Sequence, residues 1–217
     1  MNWVYGREAR LLLAHDRRVA ACFDHGLFVS EPKAALFRRL APEVAPRVAA
    51  KSNGVDAAYF APDAALPDLV GPERPVFAFT GAMDYRPNID AVAWFATAIL
   101  PRIRAALPAA RFVIVGARPA PEVERLAAEP GVIVTGRVPD VRPYLAHASA
   151  AVAPLRAARG IQNKVLEAMT MARPVVATGA APQGLGADAR RRVLEHYTWA
   201  AQLAVLDRLL APALTRP

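Results

Sequence analysis

Short apolar runs alternate along this chain with longer segments of helical period. GLFVS (26–30), VFAFTG (76–81), RFVIVGA (111–117), VIVTG (132–136), AAVAPL (150–155) and PVVAT (174–178) predict strands. Between them, NIDAVAWFATAILPRIRAAL, APEVERLAA, DVRPYLAHA and NKVLEAMTM predict helices. Strands separated by helices of this length imply right-handed crossovers and parallel pairing. FVIV and PVVA are apolar without interruption, so those strands are expected to be covered on both faces. The expected fold class is α/β, a doubly wound Rossmann-like parallel sheet. Such sheets take ligands outside the carboxyl ends of their strands, which directs attention to the loops after Thr80, Val115, Thr135 and Leu155.

Two changes of composition divide the chain. Residues 49–75, dense in Pro, Gly, Asp and Asn, read as a linker. Ahead of them, residues 1–48 predict one helix over 7–21, one strand, and a second helix with Ser30 as N-cap and Glu31 and Pro32 in its first turn. That is too little to bury a core alone, so it reads as the remnant of another domain. Residues 76–184 carry the strand and helix array. Residues 185–217 predict an amphipathic helix with Val193, Leu194, Trp199, Leu203, Leu206 and Leu210 as its apolar stripe. It is expected to pack back toward the N-terminal part.

Composition narrows the function classes. Hydrophobic residues make up 54% and charged residues 21% of the chain, as in globular domains. No apolar run reaches the roughly 18 residues that span a bilayer, and MNWVYGREARLLLAHDRR lacks a signal-peptide core, so a cytoplasmic, unprocessed chain is expected. Cys22 is the single cysteine and His15, His25, His147 and His196 are scattered, which gives no expectation of a metal site. The net charge is +8, yet Arg38, Arg39 and Arg190 to Arg192 sit at helical spacing among apolar residues. They read as solvated helix faces and not as a nucleic-acid surface. The charge equally suits phosphorylated substrates or an anionic membrane surface. Among 27 basic residues only Lys33, Lys51 and Lys164 are lysines, so each lysine position is informative.

The loops carry the candidate chemistry. In GAMDYRPN, Gly81 ends a strand, Arg86 lies in the turn and Asn88 is placed to cap the next helix, an arrangement suited to an anion. An ordinary loop with a solvated arginine fits these residues equally well. Neither G-x-G-x-x-G nor G-x-x-x-x-G-K-[ST] occurs, which argues against a dinucleotide oxidoreductase and a P-loop NTPase. In TGRVPDVRPYL, Gly136 and Val138 offer exposed backbone to a flat base. In GIQNKVLEAM, Gly160 ends a loop, Asn163 is placed as cap, and Lys164 and Glu167 share a helix face. A surface ion pair of roughly a few tenths of a kcal/mol is one account of that pair. The core-like Ala168, Met169 and Met171 that follow favour another: a carboxylate for two ribose hydroxyls and an ammonium for a diphosphate.

The ordered set FTGAMDYRPN, GRVPDVRPYLA and GIQNKVLEAM running into PVVAT resembles the donor-binding half of GT-B glycosyltransferases of family 4, particularly sugar transferases associated with exopolysaccharide and exosortase gene clusters. The resemblance implies two Rossmann-like domains, a nucleotide-sugar donor, retention of anomeric configuration, no metal and no separate cofactor. A glycan or lipid-linked acceptor is implied, with a peripheral contact to the membrane surface compatible with the charge. By the same resemblance Glu167 grips the ribose, Lys164 and Arg86 share the diphosphate beside Gly81, and Gly136, Arg137 and Val138 contact the base. Arg159 stands where many relatives have a glutamate, next to Gly160, and Ala172 stands where a glycine ends the helix. The resemblance also implies that the chain is truncated at the N-terminus, lacking most of an acceptor domain, and that a strand and helix are missing between Leu185 and ARRRVLEHYTW. A non-catalytic nucleotide-binding or partner-binding fragment is the alternative reading.

Overall fold

The computed structural model describes residues 2–156, 162–178 and 186–214. Residues 54–199 form one compact unit, and the described residues of 1–53 and 200–217 form another.

The smaller unit contains α1 (Asn2–Cys22), β1 (Gly26–Phe28), α2 (Glu31–Leu40), a 3-10 turn (Pro42–Arg47) and β2 (Val48–Ala50). β1 and β2 pair in parallel, Gly26 opposite Val48. The linker reading of 49–75 therefore begins one residue into a strand, three residues being too short a run for periodicity to reveal. Ala34, Phe37, Ala41, Val44 and Val48 are buried, with Leu13, Ala20, Phe28 and Ala50 packed against them. Ser30 does occupy the N-cap position of α2, but its hydroxyl makes no cap hydrogen bond. Arg38, expected to be solvated, donates to the Val48 carbonyl from Nε (3.0 Å) and Nη2 (2.9 Å), satisfying the end of the short ladder.

The larger unit is a five-stranded parallel sheet in the order β5-β4-β3-β6-β7. Its strands are β3 (Val76–Thr80), β4 (Arg111–Val115), β5 (Val132–Gly136), β6 (Ala150–Ala153) and β7 (Val175–Ala177). Its helices are α3 (Arg86–Trp94) continuing through a π turn at Phe95–Ile99 into α4 (Leu100–Ala106), then α5 (Pro121–Glu124), α6 (Arg142–Ala146), α7 (Asn163–Thr170) and α8 (Gly186–His196). The π turn lies just before Pro101, which has no N–H to give, so a wider turn absorbs the clash within one continuous helix. α9 (Trp199–Leu214) follows and leads into the smaller unit.

Alternation along β3 and β4 covers both faces, as the uninterrupted apolar runs predict. Phe79, Phe112 and Ile114 pack with Ile89, Val92, Phe95 and Leu100 on one side. Ala78 joins Leu145, Leu166 and Met169 on the other, and Val76, Val113 and Val115 pack there with Val70. Burying each large side chain contributes about 1.5–3 kcal/mol. Residues 54–70 lie on this unit. Val55 N–H donates to the Tyr197 carbonyl at 2.8 Å, and the Arg142 guanidinium sits 4.0 Å from the Tyr59 ring centroid.

α7 ends in a Schellman turn: Arg173 N–H donates to Ala168 and Ala172 N–H to Met169, both at 3.0 Å. Ala172 takes φ +56°, the left-handed conformation that glycine adopts without penalty. The helix end thus keeps a glycine geometry without the glycine. Ala172→Gly is expected to stabilise the chain by about 1 kcal/mol, read as a shifted urea midpoint at unchanged slope.

Candidate functional site

The chain reverses direction across the sheet between β3 and β6: the β3 crossover leads to β4 on one side, the β6 crossover to β7 on the other. That switch point, outside the carboxyl ends of the two strands, is the crevice position where doubly wound sheets take ligands. Here Lys164, from the first turn of α7, reaches across to the tip of β3. Its Nζ donates to Asn88 Oδ1 at 2.8 Å and stands 3.8 Å from the centroid of the buried Phe79 ring. Ala78, Thr80 and Val165 line a small space beside it, between the strands and α7.

Gly81 makes the approach possible. A Cβ built there would lie 2.9 Å from Lys164 Nζ and 2.9 Å from Asn88 Nδ2, and the residue takes φ +154°. The next strand completes the floor. Gly81 N–H donates to the Val115 carbonyl at 3.0 Å, and a Cβ on Gly116 would lie 1.7 Å from the Gly81 carbonyl oxygen. Gly116 N–H in turn donates to the Gly136 carbonyl at 3.2 Å. Three neighbouring strands therefore end in glycines that form a side-chain-free edge leading from the loop after β5 to Lys164.

The loop after β3 is held in advance of any ligand. Met83 is fully buried, its N–H donates to Ala117 at 2.9 Å, and its carbonyl accepts from Ala120 at 3.1 Å. Across the crevice, Arg156 forms a forked ion pair with Asp90 of α3, with Nε 3.0 Å from Oδ2. Sites fixed this way lose little ordering entropy when a ligand arrives.

Lys164 and Glu167 are both partly buried. No ion pair among the described residues joins them, which sets aside the surface-pair account. Burial lowers the Lys164 ammonium from its ordinary value to about 7, with the Glu167 charge opposing that shift. Burial likewise raises the Glu167 carboxyl, and the Lys164 charge lowers it. Each charge is therefore under-compensated, the condition in which a polar or charged ligand gains most from binding.

The other expected residues separate into two groups. Gly136 takes φ +68° with open space around it, Arg137 is exposed, and Val138 is partly buried against Val70, Val76, Val113 and Val115. Arg86 is not brought to Lys164. It is the first residue of α3, largely exposed, and its Nη1 is 3.4 Å from Glu122 on the neighbouring helix α5. Arg159 and Gly160 lie outside the described residues. Asn88 is not the cap of α3: Tyr85, three residues earlier, holds that position, and Asn88 lies inside the helix. Asn163 is not the cap of α7 either: it is the first helical residue, and Gln162 is the cap. Asn88, Gly116 and Arg156 were not visible as site residues from spacing alone. The recurrence of a glycine after each strand, in FTG, IVG and VTG, is the signal that would have found Gly116.

Residues 74–204 match the family model for glycosyl transferases group 1. No curated protein sequence matches the chain. Among solved structures, Anabaena Alr3699/HepE in complex with UDP is similar with a TM-score of 0.70 at 15% identity, over 92% of this chain and 67% of that one. The same protein with UDP and glucose gives 0.67 at 14%, over 92% and 66%. Sucrose-phosphate synthase from Thermosynechococcus elongatus gives 0.70 at 19%, over 93% and 61%. The chain thus spans about two thirds of the length of these proteins. At such identities the likeness establishes the fold, the Rossmann-like half of a GT-B architecture.

Proposed function

The chain belongs to the glycosyl transferases group 1 family, and from that premise we propose that the switch-point crevice binds the nucleotide-diphosphate part of a sugar donor. The observation that carries the reading is Lys164. Its partly buried ammonium meets a neutral acceptor and a ring face at the end of a glycine-lined strand edge, with no carboxylate in contact among the described residues. A diphosphate is the ligand class that such an uncancelled, desolvated cation favours. Glu167, three residues along the same face, takes the ribose hydroxyls, and the loop at Gly136 to Val138 lies against the base. The structures of HepE with UDP support a nucleotide donor for this fold.

The reaction is transfer of the sugar with retention of configuration, without a metal, to a glycan or lipid-linked acceptor in polysaccharide synthesis, within family 4 of the GT-B enzymes. Its chemistry is stabilisation of the departing diphosphate, since charge that develops on the leaving group is met by groups already in place. The chain is cytoplasmic and meets the membrane peripherally. Among the described residues no helix is long and apolar enough to cross a membrane.

Calorimetric titration with UDP, GDP, ADP and their glucose esters tests the donor site. Saturable binding of at least one is expected, and no binding by any of the six rejects the reading. Release of nucleoside diphosphate with an acceptor present separates transfer from binding alone.

The pH dependence has a definite sign. The charged form of Lys164 binds the diphosphate, and its value in the free protein is about 7. Affinity for a nucleotide sugar, whose diphosphate ester does not titrate in this range, is expected to be greatest below pH 7. It then falls by up to about tenfold per pH unit above it. Folding stability responds oppositely. Between about 7 and the ordinary lysine value the unfolded chain holds the extra proton, so this group adds stability as pH rises through that window.

A further inference from the structure

Asn88 is 6% exposed and lies within α3, yet its amide is spent on neither helix nor cap. Nδ2 donates to the Ala82 carbonyl at 2.9 Å, which leaves Oδ1 as the atom facing the crevice, where it accepts from Lys164 Nζ at 2.8 Å. One amide therefore joins the loop after β3, helix α3 and the first turn of α7 across the switch point. We infer that Asn88 is a positioning residue that aims the Lys164 ammonium at the ligand while leaving its charge free for an anion.

The choice of side chain is the argument. A carboxylate at this place would hold the lysine more strongly, but it would cancel the charge and add a repulsive group where a diphosphate must sit. An aliphatic residue would leave the ammonium without an acceptor, and a buried unpartnered charge is costly enough to turn the side chain outward. A neutral acceptor fixes direction and leaves the field intact. The Phe79 ring, 3.8 Å away, supplies a second neutral contact, and the missing Cβ of Gly81 leaves the space.

Among the described residues, the charged groups around Lys164 are few. α7 offers Glu167. α3 offers Asp90, already forked to Arg156, and Arg86, turned toward Glu122. β3, β6 and β7 carry no titratable side chains. The lowered proton affinity of Lys164 agrees with this setting.

The inference rests on the donor-site reading, and the experiment separates the two. With only three lysines in the chain, pH-dependent isotope-coded acetylation read by mass spectrometry reports Lys164 directly, with Lys33 and Lys51 as internal references. In the unliganded protein, Asn88→Asp is expected to raise the Lys164 midpoint by about one pH unit or more. Asn88→Ala, which lets the side chain turn outward, is expected to move the midpoint back toward the ordinary lysine value and so slow its labelling at neutral pH several-fold. An unchanged midpoint in Asn88→Asp and unchanged labelling in Asn88→Ala overturn the inference, whatever the protein binds. Asn88→Asp is isosteric, so it stays informative where Asn88→Ala unfolds. In calorimetry with UDP, GDP and ADP, Asn88→Ala is expected to weaken binding about tenfold, and the Asn88→Ala/Lys164→Ala pair no more than Lys164→Ala alone. Additive losses overturn a role exerted through Lys164. Failure of the original protein to bind any of the three rejects the donor site, while the labelling result still decides the link between Asn88 and Lys164.

Discussion

Lys164→Met lowers affinity for a nucleotide diphosphate by roughly 10–100-fold, the worth of one charge-assisted contact made in a partly desolvated site, about 1.5–3 kcal/mol. Methionine keeps the unbranched stem that packs beside Val165 and removes only the cation. The loss is selective: binding of the bare nucleoside is expected to change less than twofold. Glu167→Ala is the complement. It weakens nucleoside and nucleoside diphosphate alike, by about tenfold, because its carboxylate is assigned to the ribose. Parallel calorimetric titrations read both. Equal losses for nucleoside and nucleoside diphosphate in Lys164→Met would refute the diphosphate assignment, and an unaffected nucleoside in Glu167→Ala would refute the ribose assignment. The opposed shifts at the two residues, Lys164 lowered to about 7 and Glu167 raised, share burial as their main cause, so bound ligand is expected to return both toward the charged form.

Gly116→Ala is expected to have the largest effect on the fold at the site. The new methyl carbon would stand 1.7 Å from the Gly81 carbonyl oxygen, a backbone atom held by the N–H···O bond from Gly81 to Val115. Relief requires the ends of β3 and β4 to separate, which breaks that bond and moves the loop carrying Met83. A cost of roughly 3 kcal/mol follows, in the range of strain plus lost packing, together with loss of nucleotide binding. Gly136→Ala is the contrast. Nothing lies within 4 Å of a Cβ there, and the penalty is only the positive φ, about 1 kcal/mol. Urea unfolding of the two variants checks the order, and an equal or smaller cost for Gly116→Ala would contradict the close approach.

Much of the site was legible because its signals are local. Lys164 and Glu167 stand out as charges at the start of an apolar helix, and Gly81 as the residue after a buried strand. Ala172 could be marked as occupying a glycine position, and its φ of +56° agrees. Asn88 was misread as a cap because its true partners are Ala82, six residues back, and Lys164, on another crossover. Arg86, read with the diphosphate because of its loop, stands at a helix start with its Nη1 3.4 Å from Glu122, a neighbour that its spacing does not reveal. Arg38 and Arg190 read as solvated, yet they donate to the Val48 and Thr170 carbonyls. Their long stems let the guanidinium reach a backbone group that no periodicity shows.

The sequence by itself determined the order and type of the elements, the parallel sheet and the strand ends where chemistry belongs, because hydrophobic period and glycine placement are local consequences of backbone geometry. Only the tertiary structure decided which loops meet. The order β5-β4-β3-β6-β7 places the end of β3 beside the crossover from β6, and that adjacency, not spacing along the chain, brings Lys164 within hydrogen-bonding reach of Asn88 and close against Gly81. Contacts across a switch point join residues far apart in sequence, and a direction such as that of Arg86 is fixed by the packing around it.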